Sequence, residues 1–170
     1  MRTRSLSRLI LMPLALLLSM QLTAQNYQKE INDQVWKLFI LTFNQYETEK
    51  FMALHSKDVV RSSRDANQVL NWQQYYDQQK KGDEWSKKNE HKRMLELRFN
   101  ERIANAAQAI ETGVYKTTSI NDKGEPRSGY GKFIVVLRKE EGTWKILVDT
   151  DSSEGNSIGE KQFLEAKPLE

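Results

Sequence analysis

An acidic cluster near the end of the chain is the first candidate for chemistry. Asp149, Asp151 and Glu160 imitate the spacing of a calcium-binding loop, but Glu154 stands where that loop needs glycine and Gly155 follows one position later. We therefore predict no calcium site. If the segment is a strand, the two aspartates share a face opposite the preceding apolar residues, which predicts solvent-facing carboxylates. The alternative is that Asp149 is a base inside a pocket.

The other groups that could ligate a metal or attack a substrate are sparse. His55 and His91 are the only histidines, and the chain has no cysteine. Zinc needs three or four converging ligands, so we predict no metal site. No nucleophile-elbow motif and no glycine-rich phosphate loop occurs either. We predict no cofactor and assign no catalytic residue.

Two further charges fall within predicted strands, Arg61 in a short strand and Glu111 at the centre of a long one. A charge buried there is costly unless it is paired or used. We include both as candidate ligand-binding residues, beside six that would supply apolar or polar pocket walls. These six are Trp36, Phe43, Trp72, Tyr76, Trp144 and Thr150. Ordinary core packing is the competing explanation for the aromatic ones.

Helices must position most of the aromatic candidates. Apolar spacing of three and four residues predicts a helix over 27–48, a short one over 49–55, and a helical segment over 68–93 that breaks near Gly82. The first helix has a wide apolar face, formed by Ile31, Val35, Leu38, Phe39, Thr42, Phe43 and Tyr46 and widened by Trp36 and Ile40.

Strands follow in the second half of the chain. Alternation predicts strands over 58–62, 94–104 and 107–120, and a long hairpin over 127–153 that turns at Gly142. Helices grouped first and strands grouped last predict an α+β domain, with the helices packed on one face of the sheet.

The first 24 residues have the three parts of a secretory signal. Three arginines precede an apolar run over 9–20, and Ala24 supplies a small residue for cleavage. The run is shorter than the roughly 20 apolar residues of a membrane span. We predict a signal peptide over 1–24, a domain over 25–152 and a tail over 153–170 that either docks or is partly disordered. An uncleaved anchor is the alternative.

Removal of this leader makes the chain formally neutral. Lys plus Arg number 26 and Asp plus Glu 23, and the leader holds three Arg and no acid. Without a net positive field, nucleic-acid binding loses its main support. We predict a periplasmic or secreted protein with no nucleic-acid partner and no membrane contact after cleavage. Lacking disulfides, it must depend on its hydrophobic core.

Three segments carry a resemblance to a known family. They are MALHSKDVV at 52–60, AIETGVY at 109–115 and GTWKI at 142–146. In this order, after an amphipathic helix, they resemble the nuclear transport factor 2-like superfamily, in its SnoaL-like and ketosteroid-isomerase-like bacterial branch, over 28–152. The resemblance implies a cone, in which a curved antiparallel sheet wraps around the N-terminal helix, further helices lie on the concave face, and a pocket opens at one end.

The resemblance also bears on activity and assembly. Enzymes of this family carry acid/base residues in the pocket, whereas many relatives only bind ligands or partners. The branch often has two histidines where this chain has Val148 and Thr150, which implies that the proton-transfer groups are missing. A homodimer through the outer sheet face is implied too, and the run at 133–137, apolar on both faces, agrees with it.

These observations favour an exported binding domain with an apolar pocket for a small organic ligand of unknown identity; whether it is an enzyme stays open. The alternative is an isomerase, lyase or cyclase that transfers protons in the same pocket, with Asp149 or Glu111 as base and Tyr76 or Tyr115 as hydrogen-bond donor. A third possibility is a protein-interaction module whose pocket is filled by its own side chains.

Overall fold

A computed structural model describes residues 26–120 and 124–170, so the predicted leader at 1–24 lies outside the described residues. Helix α1 is helical throughout 26–44 and includes a π-helical turn, Asn32–Trp36, followed by an α-helical part, Lys37–Asn44. The later helices are α2 (Thr48–Met52), α3 (Trp72–Lys88) and α4 (Glu160–Glu165). The strands are β1 (His55–Ser63), β2 (Gln68–Leu70), β3 (Lys92–Ala104), β4 (Gln108–Ile120), β5 (Pro126–Glu140), β6 (Thr143–Ser152) and β7 (Lys167–Pro168).

All seven strands form one sheet in the order β2-β1-β6-β5-β4-β3-β7. The pairs are antiparallel except β1 with β6, which is parallel, so the sheet is mixed. The predicted α+β class, with helices on a sheet built around the long C-terminal hairpin, is confirmed. The parallel pair is a feature that the predicted antiparallel sheet lacked.

The main core lies between α1 and one face of the sheet, here called the inner face. The Trp36 ring packs on Phe99 and Phe133 with ring centroids 5.5 and 5.8 Å apart. Alternate residues of β3 and β5 complete the face, as the period of two predicts. These buried residues are Leu95, Leu97, Phe99, Phe133, Val135 and Leu137.

A π-helical turn changes which residues of α1 face the sheet. The Lys37 N–H donates to the Asn32 carbonyl, the five-residue bond of a π-helix. This turn buries Ile31, Val35 and Trp36 together, whereas Leu38 is 41% exposed. The prediction that Leu38 belongs to the buried face is wrong, because the wider turn rotates the residues that follow it.

Helix α3 differs from the predicted segment at its start and in its middle. Residues 68–70 form β2, and the helix follows a capping box in which Asn71 and Gln74 each accept a hydrogen bond from the other's backbone N–H. The predicted break near Gly82 is wrong. Glycine costs a helix interior only roughly 0.5–1 kcal/mol, and the buried Tyr75 and Asp83 hold α3 against the rest of the fold.

The tail docks, which was one of its two expected states. Phe163 of α4 and the neighbouring Ile158 pack with Val114 on the opposite, outer face of the sheet. Strand β7 then pairs with the edge strand β3, which covers backbone groups that would otherwise be open to another chain.

Candidate functional site

A cavity of about 380 Å³ lies between the inner face of the sheet and helices α1 to α3. Its volume is at the lower end of the range for small-molecule sites, which are mostly apolar with a few polar groups. The aromatic part of its wall is formed by Trp36, Phe39, Phe43, Phe51, Tyr75, Tyr115 and Phe133. The charged residues that line it are Arg61, Arg93, Asp149 and Asp151.

A β-bulge in β6 brings the two aspartates to this cavity. The pairing of β6 with β5 shifts register at Leu147, which is the extra residue. One extra residue reverses the alternation of side chains, so Asp149 and Asp151 lie on the same inner side as Trp144 and Ile146. The prediction that these carboxylates face solvent on the opposite side is wrong for this reason.

Asp149 lies at the centre of a buried cluster of polar side chains, formed with Tyr75, Arg61 and His55. The Tyr75 hydroxyl donates to its Oδ2 at 3.1 Å, the Arg61 Nε lies 3.6 Å from the same oxygen, and the His55 Nε2 lies 3.8 Å from it. Burial disfavours ionisation, but the Arg61 charge and the neighbouring His55 and Tyr75 outweigh it and lower the pKa of Asp149. Burial and the Asp149 charge raise the pKa of Tyr75 well above its usual value.

The two ring nitrogens of His55 have different surroundings. Its Nδ1 lies 3.0 Å from the Phe51 carbonyl oxygen, and because a carbonyl only accepts, Nδ1 carries the hydrogen. Nε2 has no hydrogen-bond partner among the described residues and lies 3.8 Å from Asp149 Oδ2. The ring also contacts Phe39, Phe51 and Tyr75. His55 is therefore a packed, hydrogen-bonded residue behind the cavity wall.

Asp151 extends this cluster of polar side chains through its ion pair with Arg61. The Arg61 Nη2 donates to Asp151 Oδ2 at 2.5 Å, and its Nη1 donates to the Ser62 carbonyl at 2.7 Å and to the Asp149 carbonyl at 3.3 Å. Burial raises the pKa of Asp151 more than the Arg61 charge lowers it. The predicted requirement that a buried Arg61 be paired is thus met.

A second charged pair lies at the α3 side of the cavity. The Arg93 Nη2 donates to the buried Asp83 at 2.7 Å, and Nε and Nη2 donate to the Phe43 carbonyl at 3.0 and 2.5 Å. The guanidinium also lies 3.7 Å from the Phe43 ring centroid. Arg93 therefore joins α1, α3 and β3 at this wall.

Of the eight predicted ligand-binding residues, Trp36, Phe43 and Arg61 line the cavity. Glu111 is fully buried but lies behind the wall, where it accepts the Trp36 Nε1–H at 2.5 Å and the Arg102 Nε–H at 2.9 Å. Burial raises the pKa of Glu111 despite these donors. Its geometry makes it a support for the Trp36 ring.

The remaining four predicted residues do not line the cavity. Trp144 is buried in the core, where its Nε1 donates to Glu30 at 3.2 Å. Trp72 and Tyr76 stack on each other with ring centroids 5.3 Å apart. Thr150 pairs with Ile134 on the outer face, because the Leu147 bulge places it there.

The bulge also changes what the missing histidines imply. Val148 pairs with Val136, and Val148 and Thr150 both alternate with the inner-facing Asp149, so neither side chain faces the cavity. Histidines at these two positions would lie on the outer face. Their absence therefore does not show whether the cavity can transfer protons.

Sequence reasoning missed several wall residues, above all Tyr75 and Arg93. The capping box at Asn71 was the signal that could have fixed the start of α3 and hence the face on which Tyr75 lies. No group of three or more His, Cys, Asp or Glu side chains converges as a metal site within residues 26–120 and 124–170. Over the same ranges, no helix is both long and apolar enough to cross a membrane.

The hydrogen bond from the Tyr75 hydroxyl to Asp149 should contribute to the free energy of unfolding. Tyr75→Phe removes a donor from a buried carboxylate, and hydrogen bonds to charged groups contribute about 1.5–3 kcal/mol. We expect a loss of that size in the free energy of unfolding, measured by urea titration at pH 7. Because the folded protein lowers the pKa of Asp149, this group stabilises above its unfolded pKa, and that contribution disappears as pH falls through the folded pKa.

Tyr76→Phe is the matched control on the next residue of α3. Its hydroxyl donates to Glu49 at the surface, so we expect a change within about 0.5 kcal/mol. Equal losses in the two variants would contradict the central position assigned to Tyr75.

Comparison with known proteins gives the fold. No family model and no curated protein matches the chain. A nuclear transport factor 2-like superfamily protein from Salmonella enterica serovar Typhimurium LT2 is 15% identical, covers 75% of this chain and 91% of its own, and has a TM-score of 0.61. A nuclear transport factor 2-like protein of unknown function from Pseudomonas putida KT2440 is 14% identical, with coverages of 82% and 94% and a TM-score of 0.61.

A ketosteroid isomerase-like protein from Erwinia carotovora atroseptica is 15% identical, with coverages of 68% and 87% and a TM-score of 0.53. At such identities the similarity concerns architecture rather than activity. Together with the helix-lined mixed sheet and its inner cavity, it shows that the chain has the nuclear transport factor 2-like fold.

Proposed function

We propose that this protein is an exported domain that binds a small organic molecule in the inner cavity. The observation that carries the proposal is the cavity itself, about 380 Å³ with a largely apolar wall that includes seven aromatic residues, and with charged groups at two sides. Such a composition provides apolar contact for a ligand and a few groups that fix its orientation. A cone filled by its own side chains, the third possibility, is disfavoured by this volume.

Proton-transfer chemistry is the second candidate, because two carboxylates do line the cavity. A mechanism with Glu111 as base or Tyr76 as hydrogen-bond donor is disfavoured, since neither residue lines the cavity. Asp149 as base and Tyr75 or Tyr115 as donor would fit the geometry, and burial raises the pKa of Tyr115 to about 12. The lowered pKa of Asp149 makes it a weak base near neutral pH, so binding is favoured over catalysis.

Filling the cavity tests the binding proposal. Thr117 lines the cavity and Thr118, the next residue of β4, points to the outer face beside Ser128. We expect Thr117→Phe to weaken binding of 2-naphthalenemethanol, an uncharged two-ring probe, at least ten-fold because the new ring occupies the ligand's space. Thr118→Phe should bind it like the unmodified protein. Chemical-shift titration measures both, and equal affinities in the two variants would place binding elsewhere.

Export is the second part of the proposal. It is supported by the arginines before the apolar run at 9–20 and by Ala24. Expression of the full coding sequence in a Gram-negative host should give a periplasmic protein whose intact mass corresponds to residues 25–170. A cytoplasmic product that keeps residues 1–24 would contradict export, and a membrane-bound one would favour the anchor.

We also propose that the protein forms a homodimer through the outer face of the sheet. The registers of four strand pairs align one β-branched apolar residue from each of five strands into a single row across this face. The row consists of Val60, Val148, Val136, Ile110 and Ile103. Three of these residues are exposed, and a continuous apolar row on a wet sheet face is typical of an interface.

A charge within this row should separate the subunits. Ile110, next to the row's central residue Val136, is 41% exposed, and Leu41 on α1 is 46% exposed but is not part of the sheet. We expect the unmodified protein and Leu41→Lys to be dimers in light scattering, and Ile110→Lys to be a monomer because its ammonium would be buried in the interface. A monomeric unmodified protein at micromolar concentration would contradict the dimer.

A further inference from the structure

The charges around the cavity do not balance. Arg93 is matched by Asp83, which also accepts hydrogen bonds from Gln79 and Thr48. Arg61, in contrast, is shared by two carboxylates, Asp149 and Asp151. Between guanidinium and carboxylate groups alone, one carboxylate is therefore in excess at the β1–β6 side of the cavity. Asp65 lies close enough to Asp151 to contribute to its raised pKa, and so adds to the negative field there.

Asp151 is the carboxylate that a ligand can reach. Its Oδ2 accepts from Arg61, while no described residue donates to its Oδ1. The Asp151 side chain is 26% exposed, compared with 10% for Asp149, and Asp149 Oδ2 is already occupied by Tyr75. A donor that enters the cavity therefore finds a free oxygen on Asp151, the more exposed of the two carboxylates.

The walls favour a cation as well. The faces of aromatic rings carry negative quadrupole charge and attract positive groups within about 6 Å, and among the wall aromatics the Phe43 face is already covered by Arg93. An anionic ligand at the β1–β6 side would have to displace Asp151 from Arg61, which would leave a partly buried carboxylate unpaired, and that is strongly unfavourable. An uncharged ligand would leave the free Asp151 oxygen without a cationic partner.

We propose that the ligand of this cavity is an organic amine, whose ammonium group donates to Asp151 while its apolar or aromatic body lies against the ring-lined wall. This inference rests on the proposed binding function and specifies its ligand class. Arg61 then acts as the fixed counter-charge that keeps Asp149 ionised, and Asp151 is the specificity-determining residue.

Three probes of equal size test the ligand class in the protein produced from its full coding sequence. They share one naphthalene ring and differ in charge: 2-naphthylmethylammonium, 2-naphthalenemethanol and 2-naphthoate. We expect the ammonium to bind at least ten-fold more tightly than the alcohol, and the carboxylate to bind most weakly, by chemical-shift titration at pH 7 and low salt. Raised salt should reduce the preference, because it screens the pair.

Asp151→Asn keeps the side-chain shape and should reduce the ammonium-to-alcohol ratio to about one. Asp58→Asn is the control and should keep the ratio, because Asp58 is likewise paired with an arginine but is exposed at the surface of β1 and does not line the cavity. If Asp151→Asn does not fold, the ranking in the unmodified protein still decides the matter. Binding of the alcohol with no preference for the ammonium, or tightest binding of the carboxylate, would overturn the amine proposal alone. Failure of all three probes would overturn the binding function itself.

Discussion

One extra residue in β6 determines the chemistry of the cavity. Leu147 interrupts the alternation of side chains along the strand. Asp149 and Asp151 therefore face inward, on the same side as Trp144 and Ile146. In a regular strand these aspartates would lie on the outer face and the cavity wall would be apolar at that place. The parallel pairing of β1 with β6 sets Arg61 beside Asp149, so the counter-charge depends on the same register.

The buried charges of this group are difficult to explain by stability. Removing ions from water costs several kcal/mol each, and replacing a buried ion pair by apolar residues is often neutral or stabilising. Tyr75 nonetheless donates to the Asp149 carboxylate and Arg61 donates to the Asp149 carbonyl, and Asp151 keeps one oxygen without a donor among the described residues. A cluster whose residues pair with one another, and which also presents a free acceptor oxygen to the cavity, is better suited to binding a ligand than to stabilising the fold.

Much of the architecture was predictable from periodicity. The α+β order, the alternation of β3 and the hairpin that ends at β6 follow from residue spacing, and three of the candidate ligand-binding residues, Trp36, Phe43 and Arg61, line the cavity. The failures are local insertions, namely the π-helical turn before Leu38 and the bulge at Leu147. Each adds one residue whose benefit lies in tertiary packing, so a repeat of 3.6 or 2 cannot reveal it.

The prediction of helix α3 was inaccurate for a different reason. Its apolar residues are few among many glutamines and lysines, so the hydrophobic pattern alone fixed neither its start nor its face. Tyr75 was therefore missed and its neighbour Tyr76 chosen. A similar ambiguity hid Arg93, whose role depends on contacts with Phe43 and Asp83 that are distant along the chain.

The phase of β6 is the central claim, and methyl nuclear Overhauser contacts in the labelled protein test it most directly. If Leu147 is the bulge residue, the Val148 methyl groups lie on the outer face and should show contacts with the methyl groups of Val60 and Val136. Contacts between Val148 and the inner rings of Trp36 or Phe133 would contradict the account, because Asp149 and Asp151 would then face away from the cavity.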